Sequence, residues 1–285
     1  MYTIGELLIK GYDILKSSDI ESYMLDSQLI LSYVLKRDKL HVILNRNENV
    51  CDEVKDRYMK LIKLRAQKMP VKYITGECEF MGLNFKIRQG VLIPRPDTEV
   101  LAERVIEEIK NQKYHKVCDV CCGSGCIGIS LAEYTCLDKV TCLDISNSAI
   151  ETAKENIHSL HLNDRVSVFE SDLLKYSIQK NERYDVIVSN PPYIKTSDME
   201  SLMEDVRNYE PHEALDGGDD GLDFYRKITA QSTSVLTQGG LLAFETGYDE
   251  KEAVLDIMER EGFKGIRSFK DLAGLDRVVM GHFYS

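Results

Sequence analysis

The sequence predicts an α/β chain: a doubly wound, mostly parallel sheet preceded by a small helical bundle. Three observations carry this. No Gly or Pro falls between Gly11 and Pro70, and apolar residues in that stretch recur at helical spacing. From Lys116 onward, short β-favouring runs alternate with helical patterns. Such alternation implies crossover helices, and therefore parallel strands covered on both faces. The length of 285 residues suits about two domains.

Residues 1–75 read as the bundle. Ile4, Leu7 and Leu8 mark a first helix. Leu25, Leu29, Ile30 and Tyr33 mark the inner face of a second, with Ser18 or Asp19 as its expected cap. Val54, Tyr58, Leu61 and Ile62 mark a third over 51–67. Residues 76–94 read as a β-hairpin linker with arms at 79–81 and 85–87, broken by Gly76 and Gly82. The remainder, 95–285, is expected to be one domain. Asp97 is placed to cap a helix running to about residue 110. Strands are expected at 116–120, 139–144, 165–170, 184–190, 240–245, 264–269 and 277–283. Helices are expected at 126–134, 147–160, 222–236 and 249–261. No helical pattern separates the last two strands, so they read as an antiparallel hairpin at the sheet edge.

The chain carries 36 basic and 47 acidic residues, a net charge of −11. That opposes broad binding to nucleic acid or to an anionic membrane. No apolar run approaches the ~18 residues of a membrane span. The N-terminus lacks the basic-then-apolar pattern of a secretory signal. A cytoplasmic location is therefore expected, with the eight cysteines as free thiols. Cys118, Cys121, Cys122 and Cys126 crowd together, but no second cluster or ligand-spaced histidines accompany them. They read as small residues in a buried strand and tight loop, and no metal site is expected.

Three segments carry chemistry. Val117-Cys118-Asp119-Val120-Cys121-Cys122-Gly123-Ser124-Gly125 runs from a strand through a small-residue loop into a helix. Backbone can approach a ligand closely there, at the sheet edge where open α/β folds bind cofactors. No Gly-Lys-Ser/Thr follows, which disfavours a phosphate loop. Asp144 ends the next strand and can accept hydrogen bonds from both hydroxyls of a ribose, or cap the following helix together with Ser146. These two sites suit a dinucleotide and S-adenosylmethionine alike. Asn190-Pro191-Pro192-Tyr193, just past a further strand, selects between them. The Asn190 side-chain carbonyl and the Pro191 backbone carbonyl can each accept one N–H of a planar amino group. Two acceptors favour the charge that develops on nitrogen as it attacks a methyl group. The prolines stiffen the loop, and Tyr193 offers a flat face to stack on the target.

With these residues in view, the sequence resembles the release-factor glutamine methyltransferases, the HemK/PrmC family, over essentially its whole length. The Asn-Pro-Pro-Tyr tetrad is shared with nucleic-acid amino-methyltransferases. Narrower signals are Leu92-Ile93-Pro94-Arg95-Pro96-Asp97-Thr98-Glu99, Tyr209-Glu210-Pro211, Gly217-Gly218, Asp220-Gly221-Leu222 and Asp271-Leu272-Ala273-Gly274. The resemblance implies a methyltransferase Rossmann-like sheet. It implies methylation of the glutamine side-chain amide in the Gly-Gly-Gln motif of class-1 peptide release factors. S-adenosylmethionine would be the donor and S-adenosylhomocysteine the product.

Carried over by position, the cofactor site is Cys121, Cys122, Gly123, Ser124, Gly125, Asp144, Asn190 and, for the adenine edge, Asp172 and Leu173. The target site is Asn190, Pro191, Pro192 and Tyr193, with Asn190, Pro191 and Tyr193 as the catalytic residues. The N-terminal bundle would contact the release factor. Cys121 and Cys122 depart from the usual Gly-x-Gly-x-Gly loop, and Cys121 is expected to avoid positive φ. Gly247-Tyr248-Asp249-Glu250 lacks the family's glutamine and receives no role. The alternative is an adenine or guanine amino-methyltransferase, which would need a flipped base and a basic surface that a net charge of −11 does not favour. A SAM-binding module without activity is a third reading, which the intact tetrad opposes. Arg95 and Glu99 read equally as substrate-positioning residues or as a first-turn ion pair. The acidic stretch 216–223 reads as a glycine-hinged flap or as a solvated loop.

Overall fold

A computed structural model describes residues 2–284. They divide into two compact units: residues up to Glu77 together with Met203–Tyr209, and Cys78–Leu202 together with Glu210 onward.

In the first unit, β1 (Tyr2–Thr3) pairs antiparallel with β2 (Asn49–Val50). Helix α1 (Ile4–Ser17) begins with a capping box: Glu6 N donates to Thr3 Oγ1 at 3.2 Å, and Thr3 N to Glu6 Oε2 at 2.8 Å. Ile4, Leu7, Leu8 and Leu15 are buried. Helix α2 (Tyr23–Leu35) starts later than Ser18 or Asp19 would place it. Those residues close α1 instead: their amides donate to Leu15 O and Lys16 O, and Asp19 takes φ 53°. The buried face of α2 is also rotated from the expected one. Leu25 is exposed, whereas Asp26, Ser27, Ile30, Leu31 and Val34 are inside. The cause is electrostatic. Asp26 is paired within the unit with the buried Arg65 at 2.7 Å, and Ser22 Oγ donates to the same carboxylate oxygen at 2.8 Å. Breaking one side of such a pair typically costs about 3–5 kcal/mol, so the helix turns to satisfy it. Helix α3 (Lys39–Leu44), capped by Asp38, is a short element that periodicity could not reveal. Helices α4 (Asp52–Ala66) and α5 (Val71–Thr75) complete the bundle.

The second unit opens one residue into the hairpin β3 (Glu77–Phe80) and β4 (Leu83–Lys86). Its two-residue turn, Met81-Gly82, has both φ values positive, as a tight hairpin requires. Then follow α6 (Thr98–Gln112), β5 (Lys116–Val120), α7 (Cys126–Tyr134), β6 (Lys139–Asp144), α8 (Asn147–Ser159), β7 (Val166–Glu170), α9 (Lys175–Gln179) and β8 (Tyr184–Ser189). After α10 (Glu204–Tyr209), which belongs to the first unit, come α11 (Asp223–Ser232), β9 (Leu236–Glu245), α12 (Lys251–Arg260), β10 (Phe263–Lys270) and β11 (Asp276–Phe283). The sheet order is β10-β11-β9-β8-β5-β6-β7, parallel from β9 to β7, with β11 antiparallel to both its neighbours. The terminal hairpin thus sits at the edge, as expected.

The helix expected over 222–236 is shorter than its apolar pattern. Val235 O accepts Tyr184 N, and Leu236 pairs with Tyr184, so those residues already belong to the sheet. Val120, Ile187, Leu242, Phe244, Tyr225 and Ile228 pack in the core beneath it. Strand order reverses at β5, whose neighbours are β6 and β8. The carboxyl ends of these three strands therefore frame a crevice, the usual ligand position in open α/β sheets. Among the described residues, no helix is long and apolar enough to cross a membrane.

Candidate active site

A cavity of about 400 Å³ lies at that crevice, within the second unit. Cys121, Cys122, Gly123 and Ser124 line it from the β5–α7 loop, Asp144 from the end of β6, and Asp172 and Leu173 from the loop after β7. Asn190 and Pro192 line it after β8. Four segments distant in sequence thus converge. Gly125 lies outside the lining; it precedes α7 in a left-handed conformation, φ 79°. Pro191 and Tyr193 are also not among the lining residues.

The loop is held from below. Cys122 N donates to Leu143 O at 3.1 Å, and Asn156 Nδ2 to Ser124 O at 2.9 Å. Asp119, buried in β5, accepts Gly128 N at 2.8 Å and so fixes the first turn of α7. Burial raises its pKa to about 7, against that hydrogen bond. Sequence reasoning gave Asp119 no role. Its signal was an acidic residue inside an otherwise apolar strand, just before the small-residue loop.

Contrary to expectation, Cys121 adopts φ 59°. Loop geometry, not residue preference, sets that angle, and a non-glycine residue in the left-handed region stores roughly 1–2 kcal/mol. Burial also pushes the Cys121 thiol well above its ordinary pKa, so it is not a poised nucleophile. Cys121→Gly should leave the melting temperature unchanged or raised, whereas Cys121→Val should cost about 1–3 kcal/mol. Thermal unfolding of both variants checks this. All eight cysteines are free, and no cluster of three or more His, Cys, Asp or Glu among the described residues is arranged for a metal ion.

Asp144 accepts Gly123 N on Oδ2 at 2.8 Å and Ser146 N on Oδ1 at 2.9 Å. Each oxygen keeps a free lone pair. Burial is the largest influence on this carboxyl and raises its pKa. Ser146 itself makes no side-chain cap. Gly123 takes φ 55°, and a Cβ there would meet no protein atom within 4 Å. The loop therefore leaves open space beside a carboxylate with spare acceptors, which fits a nucleoside with a ribose diol.

On the tetrad side, Ser189 Oγ ties β8 to Val120 O at 2.6 Å. Asn190 Nδ2 donates to Thr98 Oγ1 at 3.3 Å. The Tyr193 phenol donates to Glu245 Oε1 at 3.3 Å. The 216–223 stretch is bound to this loop by Gly217 N, which donates to Ile194 O at 2.7 Å, and just before the stretch Leu215 O accepts Ile194 N at 2.9 Å. A Cβ on Gly217 would come within 2.6 Å of Tyr193 Cα, so glycine is required by the close approach. In the unassigned stretch after β9, Glu250 accepts Gly247 N and Tyr225 OH, and burial lifts its pKa to about 7.

Arg95 and Glu99 do not pair with each other. Arg95 binds the buried Glu210, whose other oxygen accepts Ile93 N at 3.3 Å. Glu99 accepts Met81 N at 2.7 Å and holds the hairpin turn. Nor does Asp97 cap α6 through its side chain. Its backbone is already helical, and its carboxylate faces Arg277 at 3.4 Å.

Comparisons with known proteins place the chain among relatives. The family model "Methyltransferase small domain" matches residues 96–208, and "PrmC N-terminal domain" matches residues 6–76. The release factor glutamine methyltransferase of Clostridium botulinum is 52% identical over 281 residues, covering 99% of each chain. That of Clostridium acetobutylicum is 51% identical over 277 residues, 97% of each. Among solved structures, the Thermus thermophilus 16S rRNA N2 G1207 methyltransferase is 16% identical. It aligns over 72% of this chain and 49% of its own with a TM-score of 0.51, a likeness of fold alone.

Proposed function

This chain belongs to the release factor glutamine methyltransferase family, and we propose that it methylates the glutamine side-chain amide in the Gly-Gly-Gln motif of class-1 peptide release factors, using S-adenosylmethionine. The observation that carries this is the convergence of the cofactor loop, Asp144 and Asn190 on one cavity. Gly123 and Asp144 would hold the nucleoside, with the Asp144 oxygens accepting from the ribose hydroxyls. Asp172 and Leu173 would flank the adenine. When bound, S-adenosylmethionine supplies an electrophilic methyl on a cationic sulfur and leaves as S-adenosylhomocysteine.

The chain's own residues supply orientation. An amide nitrogen is a weak nucleophile because its lone pair is delocalised. With Asn190 Nδ2 engaged by Thr98, its Oδ1 is left to accept from the target N–H, and the Pro191 carbonyl accepts the other. As the N–C bond forms and the C–S bond breaks, positive character grows on nitrogen and both acceptors strengthen, before one N–H proton passes to solvent. Tyr193 would bound the target site. The helical first unit would contact the release factor, and the enzyme would act in the cytoplasm. A net charge of −11 disfavours a nucleic-acid substrate at the same tetrad.

The test is transfer of label from S-adenosylmethionine to purified release factor, with a Gly-Gly-Ala variant as control. Label on the wild-type factor alone is expected. Label on both, or on neither, would contradict the assignment.

A further inference from the structure

The tetrad is held at its far end by a segment that the reaction described above leaves without a role. Pro191 and Pro192 have no N–H with which to anchor their loop. Ile194, the first residue past the tetrad, gives both of its backbone groups to residues 215–217: its amide donates to Leu215 O at 2.9 Å, and its carbonyl accepts Gly217 N at 2.7 Å. Thr196 continues the ladder. Its amide donates to Gly218 O at 3.0 Å, and its hydroxyl to Asp216 Oδ1 at 2.7 Å. The same Asp216 oxygen accepts Gly218 N at 3.0 Å. The other end of the segment runs into α11, where Asp223 N donates to Gly217 O at 3.2 Å and Arg226 pairs with Asp220. Residues 215–221 are thus strapped onto the chain that leaves the tetrad.

We propose that residues 215–221 are a positioning strap that seats Tyr193 and so sets the plane in which the target amide is presented to the methyl group. This rests on the methyl-transfer reading above. Two glycines make the grip. A Cβ on Gly217 would lie 2.6 Å from Tyr193 Cα and 2.8 Å from its carbonyl carbon, and one on Gly221 would lie 2.6 Å from Tyr193 O. Bare backbone therefore closes on Tyr193 at two points of one loop. The phenol is tied separately, to Glu245 Oε1 at 3.3 Å. The ring is fixed at both ends, by its backbone and by its hydroxyl. A flat wall fixed in this way can orient a planar amide for in-line attack, and a misplacement of about 1 Å can cost on the order of 10²-fold in rate.

Gly217 is the informative position. Its φ lies outside the left-handed region, unlike those of Gly218 and Gly221, so alanine there carries no positive-φ strain. Only the approach to Tyr193 opposes it. An added methyl must open that 2.6 Å approach to an ordinary contact of at least 3.4 Å, which displaces Tyr193 from its seat. None of residues 215–221 lines the cofactor cavity, so the effect on the target wall is separable from any effect on the donor.

The experiment is a double-mutant cycle in single-turnover methylation of release factor, with Gly217→Ala, Tyr193→Ala and the two combined. Gly217→Ala should be about tenfold slower or more, with S-adenosylmethionine affinity within about twofold. Tyr193→Ala keeps the Asn190 and Pro191 acceptors and therefore a measurable rate. In that background Gly217→Ala should cost less than about twofold, because the ring through which the strap acts is gone. A strap that only stabilises the fold predicts the same factor in both backgrounds. Equal losses, or a Gly217→Ala enzyme as fast as wild type, would overturn the proposal. If Gly217→Ala does not fold, the same cycle with Thr196→Val decides: about threefold slower or more alone, restored by Thr196→Ser, and without effect beside Tyr193→Ala. Should the wild type fail to methylate release factor, the reading above fails instead. In that case, or if Tyr193→Ala has no measurable rate, the ring NMR signals of Tyr193 decide. They should shift in Gly217→Ala; unmoved signals would show that the strap yields rather than Tyr193, and would also overturn the proposal.

Discussion

An enzyme with Ala at Asn190 is expected to transfer methyl groups about 10²–10³-fold more slowly, the usual loss for one preorganised polar contact to a developing charge. Affinity for S-adenosylmethionine should change much less, since Gly123, Asp144 and Leu173 line the same cavity independently of that side chain. The loss should fall on kcat, because the Asn190 carbonyl gains strength only as the target nitrogen becomes cationic. Asn190→Asp should retain more activity than Asn190→Ala. It keeps an acceptor toward the target, and either carboxylate oxygen can face Thr98. It should remain below wild type, because a half-buried position favours the neutral acid, whose carbonyl is the weaker acceptor. Single-turnover rates with release factor and S-adenosylmethionine saturating decide the matter. An Asn190→Ala enzyme as fast as wild type would mean that the tetrad only shapes the loop.

The residues that end strands were the most legible part of the site. Asp144 and Asn190 each follow a short apolar run, and parallel topology brings the carboxyl ends of such runs to one edge whatever their separation in sequence. Polar partners inside the fold were much harder to see. Thr98 and Asn190 are 92 residues apart, and nothing in either local pattern marks them as partners. The Arg95–Glu210 pair likewise joins segments more than a hundred residues apart, so the local alternative, Arg95 with Glu99, was the one that spacing suggested. Helix faces failed for a related reason. In α2 the apolar stripe through Leu25 competes with the buried Asp26–Arg65 pair, and the pair sets the rotation. At Cys121 residue preference was overruled outright. The loop demands a left-handed backbone, and the strain is carried by β5 on one side and α7 on the other.

Removing the Asp144 side chain should weaken S-adenosylmethionine binding by about 10- to 150-fold, the equivalent of roughly 1.5–3 kcal/mol for an ionised acceptor. The carboxylate spends one lone pair on Gly123 N and one on Ser146 N, so the loop presents the remaining two at a defined angle to a ribose. Stability should respond differently from affinity. Burial raises the Asp144 pKa above its ordinary 3.8 despite the opposing backbone donors Ser146, Gly123 and Ile145. The folded state therefore prefers the neutral acid relative to the unfolded chain. Its contribution is complete below the unfolded pKa and is lost as pH rises through the shifted value. Asp144→Ala lacks this penalty, so its melting temperature relative to wild type should improve as pH is raised from about 4 toward neutrality. The nearby buried Asp119, lifted to about 7, titrates in both proteins and largely cancels in the comparison. Calorimetric titration and paired thermal melts measure the two effects separately. A folded Asp144→Ala protein with wild-type affinity would remove Asp144 from the ribose site. A melting difference that shifts toward wild type with rising pH would show that the two backbone hydrogen bonds outweigh the cost of burying the charge.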